Sequence, residues 1–316
     1  MNILDIAKKI NAEFVGNKKI KIDGVASHIN PSSGKIIFIG SINLAKKMKY
    51  PSSTVVLTSE EISPIFHYCN VLISKKPKLS FIKLLDIFNH NQCIYESLSD
   101  INSPYVLGKN VSIGKNIKIG KNVVIEDSVQ IGDNVCIGHN VVIHSNVKID
   151  HCVIIGSSTV IGSEGFGNFY DNDLNWQHIP HIGGVSIGKK VRIGSGCSID
   201  RGTIDNTIIE DGVFIDNQVH IAHNVLIGEN TAIAANVGIA GSCKIGKRNM
   251  IGGMVGITDH IITADDVIIS ATSTVSKDLK QPGTYTGIMP IAEHLRWKRI
   301  AFWITKLDKI LKKLNI

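Results

Sequence analysis

Twelve histidines occur among 316 residues, and a neutral imidazole is the side chain best suited to take a proton near pH 7. Three of them have suggestive company. His220 and His223 stand three apart in DNQVHIAHNV, and His260 ends the stretch GITDH. Asp216 and Asn217 lie one six-residue step before His223, and Gly241 lies 18 residues after it. A base beside a bare glycine N–H suits acyl transfer: the base deprotonates the attacking nucleophile while the amide donates to the oxyanion. The competing chemistry is metal binding. A histidine zinc site needs three imidazoles at about 2.1 Å from one ion. His220 and His223 diverge, and no carboxylate or cysteine joins them in the motif, so no metal is expected. The other histidines carry no such argument, although His178 and His181 fall in an aromatic-rich stretch. The six cysteines include no CxxC pair, and Cys197 and Cys243 occupy positions where Val otherwise recurs. They are expected to be packing residues.

The elements that must position these groups are set by a repeat. From Leu107, Ile recurs every sixth residue through Ile113, Ile119, Ile125 and onward to Ile161, with Val or Ile usually two positions earlier. The frame resumes at Ile187, Ile193 and Ile199, slips by four residues, and runs from Ile209 to Ile257. Weaker members follow at Thr263, Ile269 and Val275. A six-residue period is a parallel β-helix signature. Three hexads close one triangular coil, so residues 18 apart stack about 4.8 Å from each other. Gly241 then lies about 5 Å above His223, and His260, two coils and one residue on, falls near the same edge about 10 Å away. His220, between Val219 and Ile221, points outward on a flat face. The residue after each Ile, commonly Gly, is expected to turn the corner with unusual backbone angles. A narrow interior filled by slim β-branched residues explains 6% aromatics against 43% hydrophobics. The frame breaks at 162–184, a stretch holding Phe166, Phe169, Tyr170 and Trp176. An excursion that long is expected to serve the site, to cover a neighbouring subunit, or both.

Three segments follow: 1–96, a small α/β domain; 97–278, the solenoid; and 279–316, a helical extension. In the first, Met1–Asn11 and Leu79–Phe88 read as helices, with Val55–Leu57 and Val71–Ile73 as strands. In the last, Pro290 opens a helical pattern with Ile300, Trp303, Ile304, Leu307, Leu311 and Leu314 on one stripe. Residues 277–316 hold nine Lys or Arg against three Asp or Glu, which is +6 of the chain's +7. The basicity is therefore local and suits docking of an acidic partner, while the apolar stripe suits a bundle with copies of itself. Nucleic acid is not expected, because the positive charge is not interleaved with aromatics. No run approaches 18 apolar residues, so no transmembrane segment is expected. Asp5, Lys8 and Lys9 interrupt the first ten residues, which argues against a secretory signal and for a cytoplasmic protein.

At DNQVHIAHNVLIGENTA the chain strongly resembles the UDP-3-O-(3-hydroxyacyl)glucosamine N-acyltransferases of lipid A assembly. The likeness extends to GSEGFGN, NW and IP within 162–180, IDRGTIDNTII at 199–209, MIGG at 250–253, and the basic end at 297–314. It covers essentially the whole chain, including the leading domain that the sister O-acyltransferase lacks. The resemblance implies a left-handed parallel β-helix and a homotrimer with sites between adjacent solenoids. It implies a 3-hydroxyacyl thioester on acyl carrier protein as donor and the 2-amino group of UDP-3-O-acylglucosamine as acceptor, with no bound cofactor or metal. His223 matches the family's general base, Gly241 its oxyanion donor, His260 a second active-site histidine and Asn224 a neighbouring polar contact. Acyl carrier protein is strongly acidic, which gives Arg296, Lys298 and Arg299 a partner. Thr274, in the last coils, falls where a larger residue would block the acyl tail.

The leading domain departs from the family pattern. F-x-x-N-x-x-Y, which holds the uracil, reads FIGSINL here, so Phe38 is kept while Ser41 and Leu44 replace Asn and Tyr. Loss of one stacking ring costs about 1 kcal/mol. Two other readings stand beside the N-acyltransferase: a sugar-nucleotide acyltransferase using coenzyme A, and a trimeric scaffold without catalysis.

Overall fold

The computed structural model describes residues 1–47, 50–89, 96–97, 105–289, 291–307 and 311. The chain divides into two compact units, Met1–Ile94 and Tyr95–Ile316.

The first unit is built on a five-stranded sheet ordered Glu13–Val15, Asn70–Ile73, Val55–Thr58, Lys35–Phe38, Gly24–Val25. Glu13–Val15 runs antiparallel to its neighbour and the other pairs are parallel. All four residues of Val55–Thr58 are buried, as a central strand covered on both faces requires. One face packs Ile36, Leu57 and Leu72 against Ile3, Ile6 and Leu84 of the helices Ile3–Lys9 and Pro77–Phe88. The other packs Ile37, Val56 and Val71 against Phe66. The second helix begins two residues before the expected Leu79, because Pro77 is pre-set for a first helical turn. The first is shorter than expected, starting after Asn2, whose side chain caps the Leu4 N–H.

The second unit is a parallel β-solenoid. Its short strands stack into three sheets of nine, seven and ten strands, and partners stand 18 residues apart, as in Val124↔Val142 and Ile125↔Ile143. Where 18 becomes 22, as in Ser198↔His220, the four-residue slip is taken up as extra loop. The inward Ile and Val columns, with Cys197 and Cys243 among them, form one continuous buried core.

Corner geometry differs from the sequence expectation. The residue in the left-handed region is the third after each Ile, as at Asn116, Asn134, Asn224, Asn230 and His260. The glycine directly after the Ile answers a different need. A Cβ on Gly114 would stand 2.6 Å from the carbonyl carbon of Gly132, the matching residue of the next coil. Those glycines are there because the backbone of the next coil passes too close for any side chain. The ladder also runs past residue 278: Gly283–Tyr285 pairs with Val267–Ile269.

The final helix spans His294–Ile304, starting later than Pro290 because Glu293 accepts from the N–H groups of Leu295 and Arg296 and so caps it. None of its residues is buried, and Trp297, Phe302, Trp303 and Ile304 are exposed. Leu314 of the proposed stripe lies outside the described residues.

Candidate active site

His223 and Gly241 occupy one edge of the solenoid, one coil apart. A Cβ on Gly241 would lie 2.7 Å from both Cε1 and Nε2 of His223, so the glycine backbone is packed directly on the imidazole. Ser242 N–H donates to the His223 carbonyl and His260 N–H to that of Gly241, which continues the ladder up this edge. Among the described residues the Gly241 N–H itself has no acceptor.

Asn224 fixes the tautomer of His223. Its Oδ1 accepts from the Thr203 N–H at 3.0 Å and the Thr203 hydroxyl at 2.9 Å, and its Nδ2 donates to the Asp205 carbonyl. The amide is therefore oriented, and His223 Nδ1, 3.1 Å from the same Oδ1, must be the donor. Nε2 is left with a lone pair to accept a proton. This local arrangement depends on the left-handed backbone at Asn224, φ +60°, which Asn tolerates better than most residues.

His223, Gly241 and His260 line one hollow of about 640 Å³, together with His220, Asp200 and Thr274. Its floor is the outward face of one sheet, where His220, Gly238, Gly256 and Thr274 succeed one another at one coil each. Nothing among the described residues lies within 4 Å of where a Cβ would sit on Gly238 or Gly256, so the two glycines leave an open trough with Thr274 at its far end. Phe166 of the excursion, 84% exposed, stands over it.

Asp216 and Asn217 do not join this group within the chain. Asp216 lines a separate hollow of about 670 Å³ with Arg192, Phe214 and Met250, and Asn217 Oδ1 accepts from the Ser195 N–H. Six residues are one third of a coil, so a step of one repeat moves to the next edge. Only steps of 18 return to the same edge.

Phe38 stacks on Phe81, centroids 4.7 Å apart and planes at 15°. Ser41 is exposed at the start of the helix Ile42–Lys47. Leu44 turns into the core of the first unit, where an exposed stacking ring would not be placed. Arg296, Lys298 and Arg299 are all exposed on the final helix.

Four further residues surround His223 or its hollow, three of them without a signal in the repeat itself. Asp259 stands two coils above His223 and lines the same hollow; the 18-residue rule pointed to it. Asp200 is a carboxylate only 5% exposed, accepting from Ser163 Oγ at 2.8 Å with His220 Nε2 at 3.5 Å. The four-residue slip hid its register. Gly165 and His181 come from the excursion and press on His223, and no period foretells a loop contact. The same loop brings donor atoms of Glu164, His178 and His181 within 4.8 Å of one another. Glu164 already accepts from His178 Nε2 and from the His181 N–H, and the His178 bond is the main cause that lowers its carboxyl below the usual range.

Residues 110–145 and 206–241 match the bacterial transferase hexapeptide family (six repeats). The UDP-3-O-acylglucosamine N-acyltransferase of Vesicomyosocius okutanii is 46% identical over 99% of this chain and 96% of its own length. The chain belongs to the UDP-3-O-acylglucosamine N-acyltransferases. It is therefore an acyltransferase, and the trough beside His223 is the candidate site of transfer. The Bordetella avium member of the family is 38% identical over 156 residues, 48% of this chain and 43% of its own length. Among solved structures, the UDP-N-acetylglucosamine O-acyltransferase of Moraxella catarrhalis is 26% identical with TM-score 0.52, over 58% of this chain and 69% of that one. The UDP-N-acetylglucosamine acyltransferase of Francisella novicida, 22% identical, has TM-score 0.53 over 61% of this chain and 70% of its own, a likeness of fold. No helix among the described residues is long and apolar enough to cross a membrane.

Proposed function

We propose that the chain moves a 3-hydroxyacyl group from the phosphopantetheine thiol of acyl carrier protein to the 2-amino group of UDP-3-O-acylglucosamine. It does so as a cytoplasmic homotrimer in lipid A biosynthesis. The observation that carries the mechanism is the lone pair of His223 Nε2 beside the N–H of Gly241, which has no acceptor among the described residues.

His223 Nε2 takes a proton from the amine as its nitrogen attacks the thioester carbonyl. The oxygen of the tetrahedral intermediate accepts from the Gly241 N–H. The C–S bond then breaks, the amide forms, and the thiolate regains a proton from the His223 imidazolium. His260, on the same edge, holds substrate against the base. The acyl chain lies in the trough over Gly238 and Gly256 and meets Thr274, three ladder steps or about 14 Å from His220.

Asp216 and Asn217 belong to this reading through the trimer. Two hollows on different faces are what adjacent solenoids would bring together, so one copy's Asp216 and Asn217 would contact substrate beside another copy's His223. Phe38 and Ser41 contact the uridine nucleotide, with Phe81 as the ring already stacked on Phe38. Arg296, Lys298 and Arg299 dock the acidic carrier.

The test is incubation with UDP-3-O-acylglucosamine and 3-hydroxyacyl carrier protein, or 3-hydroxyacyl coenzyme A, with the product read by mass. Amide product from the carrier-linked donor, lost in His223→Ala, is expected. An active His223→Ala would overturn the mechanism, and a preference for coenzyme A would overturn the donor.

A further inference from the structure

The excursion at 162–184 folds into a hairpin, Asn168–Tyr170 against Trp176–His178, and the segment leaving it buries His181 against His223. His181 is only 5% exposed. Its Nδ1 lies 2.8 Å from the Ile179 carbonyl, so Nδ1 carries the proton and Nε2 presents a lone pair. Among the described residues, that buried Nε2 has no hydrogen-bond partner. A buried acceptor without a donor is costly and calls for an explanation.

Its surroundings supply one. A Cβ on Gly165 would stand 2.9 Å from His181 Nε2, 2.8 Å from His223 Cβ and 3.0 Å from His223 Cδ2. Only glycine lets the two rings approach, and they meet edge to face, centroids 5.0 Å apart at 67°. The His181 atom sharing this gap is Nε2, the negative end of the ring dipole. Burial makes a second proton on His181 unfavourable and lowers its pKa, with the neighbouring His223 adding to the effect.

We propose that His181 is a positioning residue for the base, a neutral imidazole that holds the His223 ring in place and turns a lone pair toward it, favouring the imidazolium formed when His223 takes its proton. The proposal rests on His223 being the base. An acceptor fixed in a site screened from water acts without reorganising during the reaction. Other titratable groups near the base are Glu164 and His178 of the same loop, Asp200 and His220 on the trough side, and Asp259 and His260 along the edge. All are retained in the variants below, so differences between pH profiles report on His181.

The experiment measures kcat, KM and the pH–rate profile of the full chain as His181→Phe and His181→Gln. Phe keeps a ring and removes the lone pair. It should lower kcat about tenfold with KM within about twofold, and should move the acidic limb of the profile to lower pH, because the protonated form of the base loses a stabilising lone pair. Gln supplies an amide oxygen and should restore most of the rate and the limb. If Phe lowers the melting temperature, His181→Ala is compared with the same expectations. Wild-type kcat with an unmoved limb in the Phe or Ala variant would overturn the proposal, as would a Gln variant no better than Phe. His223→Ala in the same assay separates the two readings. If it is active, the base assignment falls; if it is inactive while His181→Phe behaves as wild type, only the role of His181 falls.

Discussion

Gly241 lies one coil above His223, so close that a Cβ there would stand 2.7 Å from the imidazole Cε1 and Nε2. The contact sets both how near the amide N–H comes to the base and how little can be added to either. Gly241→Ala keeps the amide N–H but should push the ring off its position and lower kcat by about 10²-fold, the usual scale for a misplacement of about 1 Å. The melting temperature should move little, since φ at Gly241 is not among the left-handed positions. Steady-state kinetics beside thermal unfolding check both parts.

Asn224 governs the tautomer. Asn224→Gly keeps the left-handed backbone without strain and removes the oxygen shared by Thr203 and His223. The expected result is a fall in kcat of about 10–100-fold with a nearly unchanged KM, because the base then spends time as the wrong tautomer. A KM effect alone would mean that Asn224 only contacts substrate.

The trough predicts acyl specificity. Thr274→Met places bulk at its far end, and Gly256→Leu fills its floor, where no atom lies within 4 Å of the Cβ position. Both should shift preference toward shorter donors in an assay with acyl chains of graded length, Gly256→Leu more strongly. An unchanged preference in Thr274→Met would place the end of the chain elsewhere.

Acid should weaken the loop around His181. Its folded pKa lies below the ordinary 6.5 because of burial, so below about pH 6.5 the unfolded chain binds the proton first and stability falls as pH falls. Differential scanning between pH 7.5 and 5.5 should show a steeper loss in the wild type than in His181→Gln, which has no such group to titrate.

Reversing the charge of Arg296, Lys298 and Arg299 to Glu should raise KM for the carrier-linked donor by about tenfold or more at low salt, with a smaller effect at high salt. kcat at saturating donor should stay near wild type, since these side chains stand exposed on the final helix.

The six-residue period is dense enough that the solenoid, its inward columns and the pairing of His223 with Gly241 follow from spacing alone, because an 18-residue coil is a rigid ruler. A step of six moves to the next edge, and Asp216, one repeat before Ala222, lines a separate hollow of the same chain. The four-residue slip before Ile209 conceals the partnership of Asp200 with His220. Asn224 was legible as a polar neighbour, but its role in fixing a tautomer depends on Thr203 and Asp205, which reach it through a turn. The contact of His181 and Gly165 with the base has no sequence signal, since a 23-residue excursion has many ways to fold and its contacts are chosen by packing. Periodicity is local and repeats, so residue order alone determines the coil and the column each side chain joins. What lies over the column depends on close approach between distant backbones, and that is settled only when the chain is packed.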